Sequence, residues 1–257
     1  MTTPWDPDLR LGRWQDALAD VGECDLLCVD APYSARTHAA HGRDDAAVQR
    51  MPNPNKAPKP IPYDGWTDED VRSFVDAWSP RTRGWFVTIT DHTLAPVWSE
   101  ALASHGRYVF APLPWVAKGS RIRLRGDGPS SWTCWIVVAR PRTGTDRNGR
   151  QYSKWGTLPG AYVITSERGS HIGGKPERLM RALVRDYSRP GDLVCDPCAG
   201  YGTTLIAAAN EGRRSVGSEM DEETHATGLQ RIARGVRQGD LMREANIAKA
   251  ISGELPF

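Results

Sequence analysis

The segment from Asp192 to Glu219 restricts the fold more than any other part of the chain. Asp192-Leu193-Val194-Cys195-Asp196 is a short apolar run closed by an acid, the pattern of a strand buried on both faces. It leads into Pro197-Cys198-Ala199-Gly200-Tyr201-Gly202-Thr203-Thr204 and directly on into a helix over Leu205–Asn210, with Gly212 at its C′ position. Arg214-Ser215-Val216-Gly217-Ser218-Glu219 reads as a second strand, and Asp221 can cap the helix after it. Strand, Gly-x-Gly turn, helix and strand make a mononucleotide-binding half, which belongs in an α/β sheet.

The remainder of the chain fits that class. Leu9–Gly12 is a short strand and Trp14–Leu18 a helical turn. Asp25–Val29 is another apolar run. Thr67-Asp68-Glu69-Asp70 is an N-cap with an acidic first turn, and Val71, Phe74, Val75 and Trp78 then form one apolar stripe. Gly84–Thr90 is a strand, Leu94–Leu102 a helix and Arg107–Ala111 a strand. Pro112–Gly119 interrupts the rhythm, and Ser131–Ala139 resumes it as a strand that is part of an antiparallel edge. Pro176 can occupy the first position of a helix, with Leu179, Met180, Leu183, Val184 and Tyr187 on its buried side, and the tail from Asp240 to Ile251 reads as a last amphipathic helix. Between Ser34 and Tyr63 the chain carries five prolines from Pro52 to Pro62. That composition excludes helix or central strand and suits a lid or a ligand-contacting loop.

The run Asp25–Val29 ends in Asp30-Ala31-Pro32-Tyr33, at the strand end where open α/β sheets place ligands. Asp30 and the Ala31 carbonyl are two acceptors, enough for both hydrogens of a flat exocyclic amine. Pro32 holds Ala31 extended, and Tyr33 offers a face for an extruded base. The same residues also suit an ordinary strand-to-loop turn.

The Gly200–Gly202 turn and Glu219, 19 positions after Gly200, suit a ribose-bearing cofactor. A dinucleotide would want a third glycine where Leu205 stands, and Asp196 would put negative charge where its pyrophosphate should lie. An acid there suits a cofactor with an amino acid part and a positive charge, so S-adenosylmethionine fits better than NAD.

Net charge is only +2, but Lys118–Lys154 holds nine Lys/Arg against two Asp, which fits either a polyanion-binding surface or a solvated loop. Five cysteines, an odd number, with no signal peptide and no long apolar stretch, point to a reduced, cytoplasmic protein without a membrane segment. Cys195-Asp196-Pro197-Cys198 has no second Cys pair or His pair beside it, so no metal site is expected.

Together these segments resemble the amino-group DNA methyltransferases that form N6-methyladenine or N4-methylcytosine. Asp30-Ala31-Pro32-Tyr33 is similar to the family's catalytic DPPY motif, with Ala31 in place of the first proline. Asp196 to Thr204 is similar to its DPFxGxGTT cofactor motif, with Cys198 in place of Phe. His171, Lys175 and Pro176 match H-x3-KP, and Glu219 matches the acid of GxE. Gly12-Arg13 stands where the family often has Gly-Asp. The catalytic motif precedes the cofactor motif, the order of the β group.

The resemblance implies a Rossmann-like methyltransferase fold, circularly permuted, with a mostly parallel sheet and an antiparallel edge. It implies one catalytic domain over residues 1–257, with the long loop 34–63 and a short target-recognition segment 140–160. The implied catalytic residues are Asp30, Ala31, Pro32 and Tyr33. Those implied for S-adenosylmethionine are Asp30, His171, Lys175, Pro176, Asp196, Pro197, Ala199, Gly200, Gly202, Thr203 and Glu219. Arg121, Arg123, Arg125, Arg140, Arg142, Arg147, Arg150 and Lys154 are the candidates for phosphate contacts with double-stranded DNA. Asp at the first catalytic position favours adenine N6 as the acceptor. N4-cytosine methylation, an RNA substrate, a non-catalytic DNA-binding relative, a homodimer and a restriction-enzyme partner all stay open.

Overall fold

The computed structural model describes residues 6–37, 63–117, 128–129, 131–165 and 174–235. The prolines of the long loop, Arg121, Arg123, Arg125, His171 and the tail 240–251 lie outside the described residues.

Nine strands are present among the described residues: β1 (Asp8–Leu11), β2 (Cys24–Val29), β3 (Thr82–Thr90), β4 (Arg107–Val109), β5 (Leu113–Val116), β6 (Thr133–Pro141), β7 (Tyr162–Val163), β8 (Leu193–Asp196) and β9 (Arg214–Glu219). They form one sheet in the order β1-β9-β8-β2-β3-β6-β5-β7, with β4 also beside β6. Pairing is parallel from β1 through β9, β8 and β2 to β3, and antiparallel where β6 meets β3, β4 and β5.

The helices are α1 (Trp14–Ala17), α2 (Asp68–Trp78), α3 (Ala95–Ser104), α4 (Glu177–Tyr187), α5 (Thr203–Asn210) and α6 (222–235). The period of two in β2 divides its side chains between two helical layers. Leu27 and Val29 face the cluster holding Phe74, Trp78, Trp98 and Leu102 of α2 and α3. Leu26 and Cys28 face the cluster holding Leu179, Leu183 and Tyr187 of α4 with Ala207 and Ala208 of α5. Local signals set the helix ends. Thr67 and Asp70 form a reciprocal capping box at α2, 3.3 Å and 2.8 Å, and Gly212, at φ +76°, follows α5. Asp221 accepts from the Thr224 amide at 2.8 Å at the start of α6.

One strand expectation needs correction. Pro112–Gly119 is not an interruption, because Leu113–Val116 is β5. Proline is tolerated there because the ladder with β7 begins only at Trp115, beyond Pro114, which needs no N–H on that side. The Ser131–Ala139 segment lies, as expected, in the antiparallel part of the sheet. As β6 it is internal, with β3 on one side and β4 and β5 laid end to end on the other, and β7 takes the edge. No described helix is long and apolar enough to cross a membrane.

Candidate active site

The chain leaves β8 through α5 to β9 on one side, and leaves β2 through α2 to β3 on the other. Adjacent β8 and β2 are therefore a topological switch point, where the connections part and open a crevice at the strands' C-terminal ends. Register fixes what lines it. Leu27 is level with Cys195, so Cys28 is level with Asp196, and Asp196 is level with Gly217 of β9. Asp30 and Glu219 each stand two residues farther along their strands. Asp196 thus forms the floor of the crevice, and the two other acids stand above it on either side.

Electrostatics records this crowding. Burial, opposed by hydrogen bonds from the Thr204 side chain and the Cys198 amide, pushes the Asp196 carboxyl up to about 7, and the charges of Asp30 and Glu219 push the same way. Burial also raises Glu219, although the amides of Asp221, Met220 and Gly200 bond to it. Such a pocket repels a pyrophosphate and suits a ligand with a cationic centre and hydroxyl donors.

The turn between Asp196 and α5 is built by its own backbone. Gly200 and Gly202 adopt φ +52° and +74°, a region costly for other L-residues. Ala199 donates its amide to the Ser218 carbonyl at 2.9 Å, and Ser218 Oγ donates to the Pro197 carbonyl at 2.9 Å. Pro197, Ala199 and Thr203 accordingly lie between Asp196 and the first turn of α5. Gly217 is a contributor that sequence reading passed over. A Cβ there would lie 2.6 Å from the Asp196 carbonyl oxygen and 2.9 Å from both Ala199 Cβ and Leu205 Cδ1. Gly217→Ala is expected to cost about 1–3 kcal/mol by overpacking, read as a lower urea midpoint, and to widen the crevice floor.

On the other wall, Lys175 donates its ammonium to Asp30 Oδ2, and its Nζ lies 4.9 Å from the Tyr33 ring centroid. The structure therefore brings the 175–176 segment onto the Asp30–Tyr33 turn from 145 positions away. Pro176 is the N-cap of α4. Ala31 and Tyr33 are both buried.

Asp91 is the second residue that sequence reading missed. It follows β3 directly, and its carboxylate accepts from the Ser34 amide at 3.0 Å and from the hydroxyls of Ser34 and Thr37. Its other oxygen accepts the Thr93 and Leu94 amides, both at 3.0 Å. Burial pushes Asp91 up, but the Ser34, Thr37 and Leu94 bonds outweigh it and hold the group below the usual carboxylate range. An Asp just before a predicted helix was the available signal.

The described basic candidates, Arg140, Arg142, Arg147, Arg150 and Lys154, lie away from this crevice. Arg140 pairs in register with Tyr108 at the far end of β6, and its guanidinium lies 4.7 Å from that ring centroid. Arg142 lies 5.9 Å from the same ring. Arg147 binds buried Asp25 at 2.7 Å, and Arg83 binds the same carboxylate. Asp25 also accepts the Leu193 amide at 2.9 Å. Asp25 is near the start of β2 and Asp30 just past its end, so five residues at roughly 3.3 Å each put these groups about 16 Å from the crevice. Arg150 and Lys154 share that pole, in a turn where the Arg150 amide donates to Asp146 and on a 3-10 helix beside buried Tyr152 and Trp155. The segment 140–160 closes the base of the sheet. Its two aromatic rings pack 5.7 Å apart, and Trp155 lies 5.7 Å from Trp85.

Comparison with known proteins adds an independent line. A family model of the N6/N4 type, described as DNA methylase, matches residues 36–230. The chain is 36% identical over 75 residues to the DNA adenine methyltransferase YhdJ of Escherichia coli K12, covering 29% of this chain and 26% of that one. It is 37% identical over 70 residues to the type II methyltransferase M.HindIII of Haemophilus influenzae, covering 27% and 23%. The matched part thus spans about a quarter of each of these relatives. The fold is that of the M1.HpyAVI–SAM complex, with TM-score 0.64 and 17% identity over 88% of this chain and 98% of that one. It is also that of the cytosine-N4-specific PvuII DNA methyltransferase, with TM-score 0.60 and 12% identity over 91% and 92%.

Proposed function

This chain belongs to the N6/N4 DNA methylase family, and from that premise we propose that it transfers the methyl group of S-adenosylmethionine to the N6 amine of adenine in DNA. The observation that carries the reading is the three-acid crevice, with Asp196 and Glu219 on the cofactor half and Asp30 on the half that presents Tyr33.

Asp196, the Pro197–Thr203 turn and Glu219 hold the cofactor. The negative field they create favours its sulfonium and ammonium charges, and Glu219 takes the ribose hydroxyls. The bound cofactor supplies an electrophilic methyl group. Asp30 and the Ala31 carbonyl would accept the two hydrogens of the target amine and so localise and aim the nitrogen lone pair. As the N–C bond formed, the cofactor's S–C bond would break to leave a neutral thioether, and the proton the amine loses would leave by way of Asp30. Much of the rate then comes from position, with reacting atoms held at roughly 3–3.5 Å. Lys175 now sits on both the Asp30 carboxylate and the Tyr33 ring. Entry of a base therefore exchanges the lysine ammonium for the amine at Asp30 and uncovers the ring for stacking.

Incubation with S-adenosylmethionine and unmethylated duplex DNA, followed by nucleoside mass spectrometry, tests the reading. N6-methyladenine is expected. N4-methylcytosine would retain the scaffold and the roles above but replace the base, and the likeness to a cytosine-N4-specific enzyme makes that the reading to compare. No methylated nucleoside, with cofactor bound, would overturn the DNA assignment.

The positions of the basic residues sharpen a second expectation. Arg121, Arg123 and Arg125 are proposed to carry phosphate contacts, since the described arginines of the stretch lie at the opposite pole. Replacing all three with alanine should lower the slope of log affinity against log salt by about 0.9 for each phosphate no longer neutralised. The Arg140/Arg142 double alanine variant should leave that slope unchanged.

A further inference from the structure

The residues 38–62 depart from Thr37 and return to the described chain at Tyr63, and the two ends of that excursion are tied at a neck beside the Asp30–Tyr33 turn. Ser34 and Trp66 form a parallel bridge, and the Trp66 amide donates to the Tyr33 carbonyl at 2.9 Å. Gly65 lies so close to the Ser34–Ala35 backbone that a Cβ on it would fall 2.5 Å from the Ala35 nitrogen. Trp66 stacks on Trp98 of α3 at 5.9 Å and 26°.

Asp91 joins these parts. One of its oxygens holds Ser34 and Thr37, at the two ends of a helical turn, and the other holds the amides that start α3, the helix carrying Trp98. Tyr33 is therefore gripped from both sides, through the neighbouring Ser34 and through Trp66. Both grips lead back to one buried carboxylate at the end of the strand next to β2.

We propose that Asp91 is a positioning residue that fixes Tyr33, and with it the surface on which the target base stacks, by clamping the neck of the 38–62 excursion to α3. The inference rests on the methyltransferase reading above. Its chemistry is specific to a carboxylate. Five donors converge on two oxygens, three of them backbone N–H groups that cannot reverse direction, so an amide must turn its NH2 toward donors at one end.

The test compares Asp91→Asn, Thr37→Val and Thr37→Ser in single-turnover methylation, with cofactor affinity measured on the same preparations. Asp196, the Pro197–Thr203 turn and Glu219, proposed above to hold the cofactor, make no contact with Asp91, so a positioning role moves the rate far more than that affinity. Asp91→Asn is expected to lower the single-turnover rate at least tenfold, with the S-adenosylmethionine Kd within twofold of wild type. Thr37→Val should lower the rate severalfold, and Thr37→Ser, which keeps the hydroxyl, should restore most of it. A duplex with 2-aminopurine at the target position should show a smaller fluorescence change on binding Asp91→Asn than on binding wild type.

An unchanged rate in Asp91→Asn overturns the inference, as does a cofactor affinity that falls in parallel with the rate. If Asp91→Asn does not fold, the Thr37 pair decides alone: equal rates for valine and serine overturn the clamp. A wild-type protein that methylates no DNA overturns the function itself, an outcome distinct from a methylating wild type whose variants match it.

Discussion

Asp30→Ala is expected to leave a folded protein that still binds S-adenosylmethionine and transfers almost none of its methyl group. The side chain removed lies beyond β2 at the rim of the crevice, so no core packing is lost. What disappears is the only side-chain acceptor proposed to orient the target amine. Removing one preorganised polar group from the reacting centre typically costs 10²–10³ in rate, and a fall of at least that size is expected. The Ala31 carbonyl can hold one amine hydrogen but cannot set the nitrogen's direction alone. Cofactor affinity should fall less than about tenfold, because Asp196, Glu219 and the glycine turn remain. Single-turnover methylation beside equilibrium cofactor binding separates the two quantities. Turnover near wild type would remove Asp30 from the mechanism.

Asp196→Asn is expected to move stability and binding in opposite directions. The carboxyl is buried, with its pKa raised to about 7 from an ordinary 3.8. A raised carboxyl favours the protonated form in the folded state. Its contribution to stability is thus complete below the unfolded value and is lost as pH rises through about 7. Asparagine matches the shape, can still accept from the Cys198 amide, and carries no charge to bury. Without cofactor, the variant should be more stable than wild type at pH 8, by a margin on the order of 2–4 kcal/mol. That margin should vanish near pH 4, where wild type is itself protonated.

Cofactor binding should weaken about 10- to 100-fold, the scale of one lost hydrogen bond to a charged group. In wild type the affinity should climb as pH rises through about 7, since a cationic ligand selects the ionised carboxylate. Denaturant melts at pH 4 and pH 8, with binding isotherms across the same range, test both halves. A wild-type affinity flat from pH 6 to pH 8 would show that Asp196 is not the group that meets the cationic ligand.

Much of the local structure was legible in the residues because its causes are local. Thr67 and Asp70 cap α2 through a three-residue spacing. Val71, Phe74, Val75 and Trp78 are all buried, as their helical period requires. Gly200, Gly202 and Gly212 all take positive φ, which a Gly-x-Gly turn and a C′ glycine need. The strand over Leu113–Val116 was harder to see. It carries Pro114 and owes its place to β6, whose partners are set by the order of the whole sheet.

The sequence by itself determined the sheet class, the Gly200–Gly202 turn, the acids at the ends of β2, β8 and β9, and the family they resemble. In each case the deciding groups are close in the chain and answer to backbone geometry alone. Only the tertiary structure decided which distant groups meet. Lys175 reaches Asp30 across 145 positions, Asp91 holds Ser34 from 57 positions away, and Arg147 spends its charge on Asp25, 122 positions distant. A count of arginines could not place Arg140, Arg142 and Arg147 at the base of the sheet. The direction of β6 carried Arg140 and the residues after it to the opposite pole, because an antiparallel strand runs away from the end where the parallel strands place their ligands.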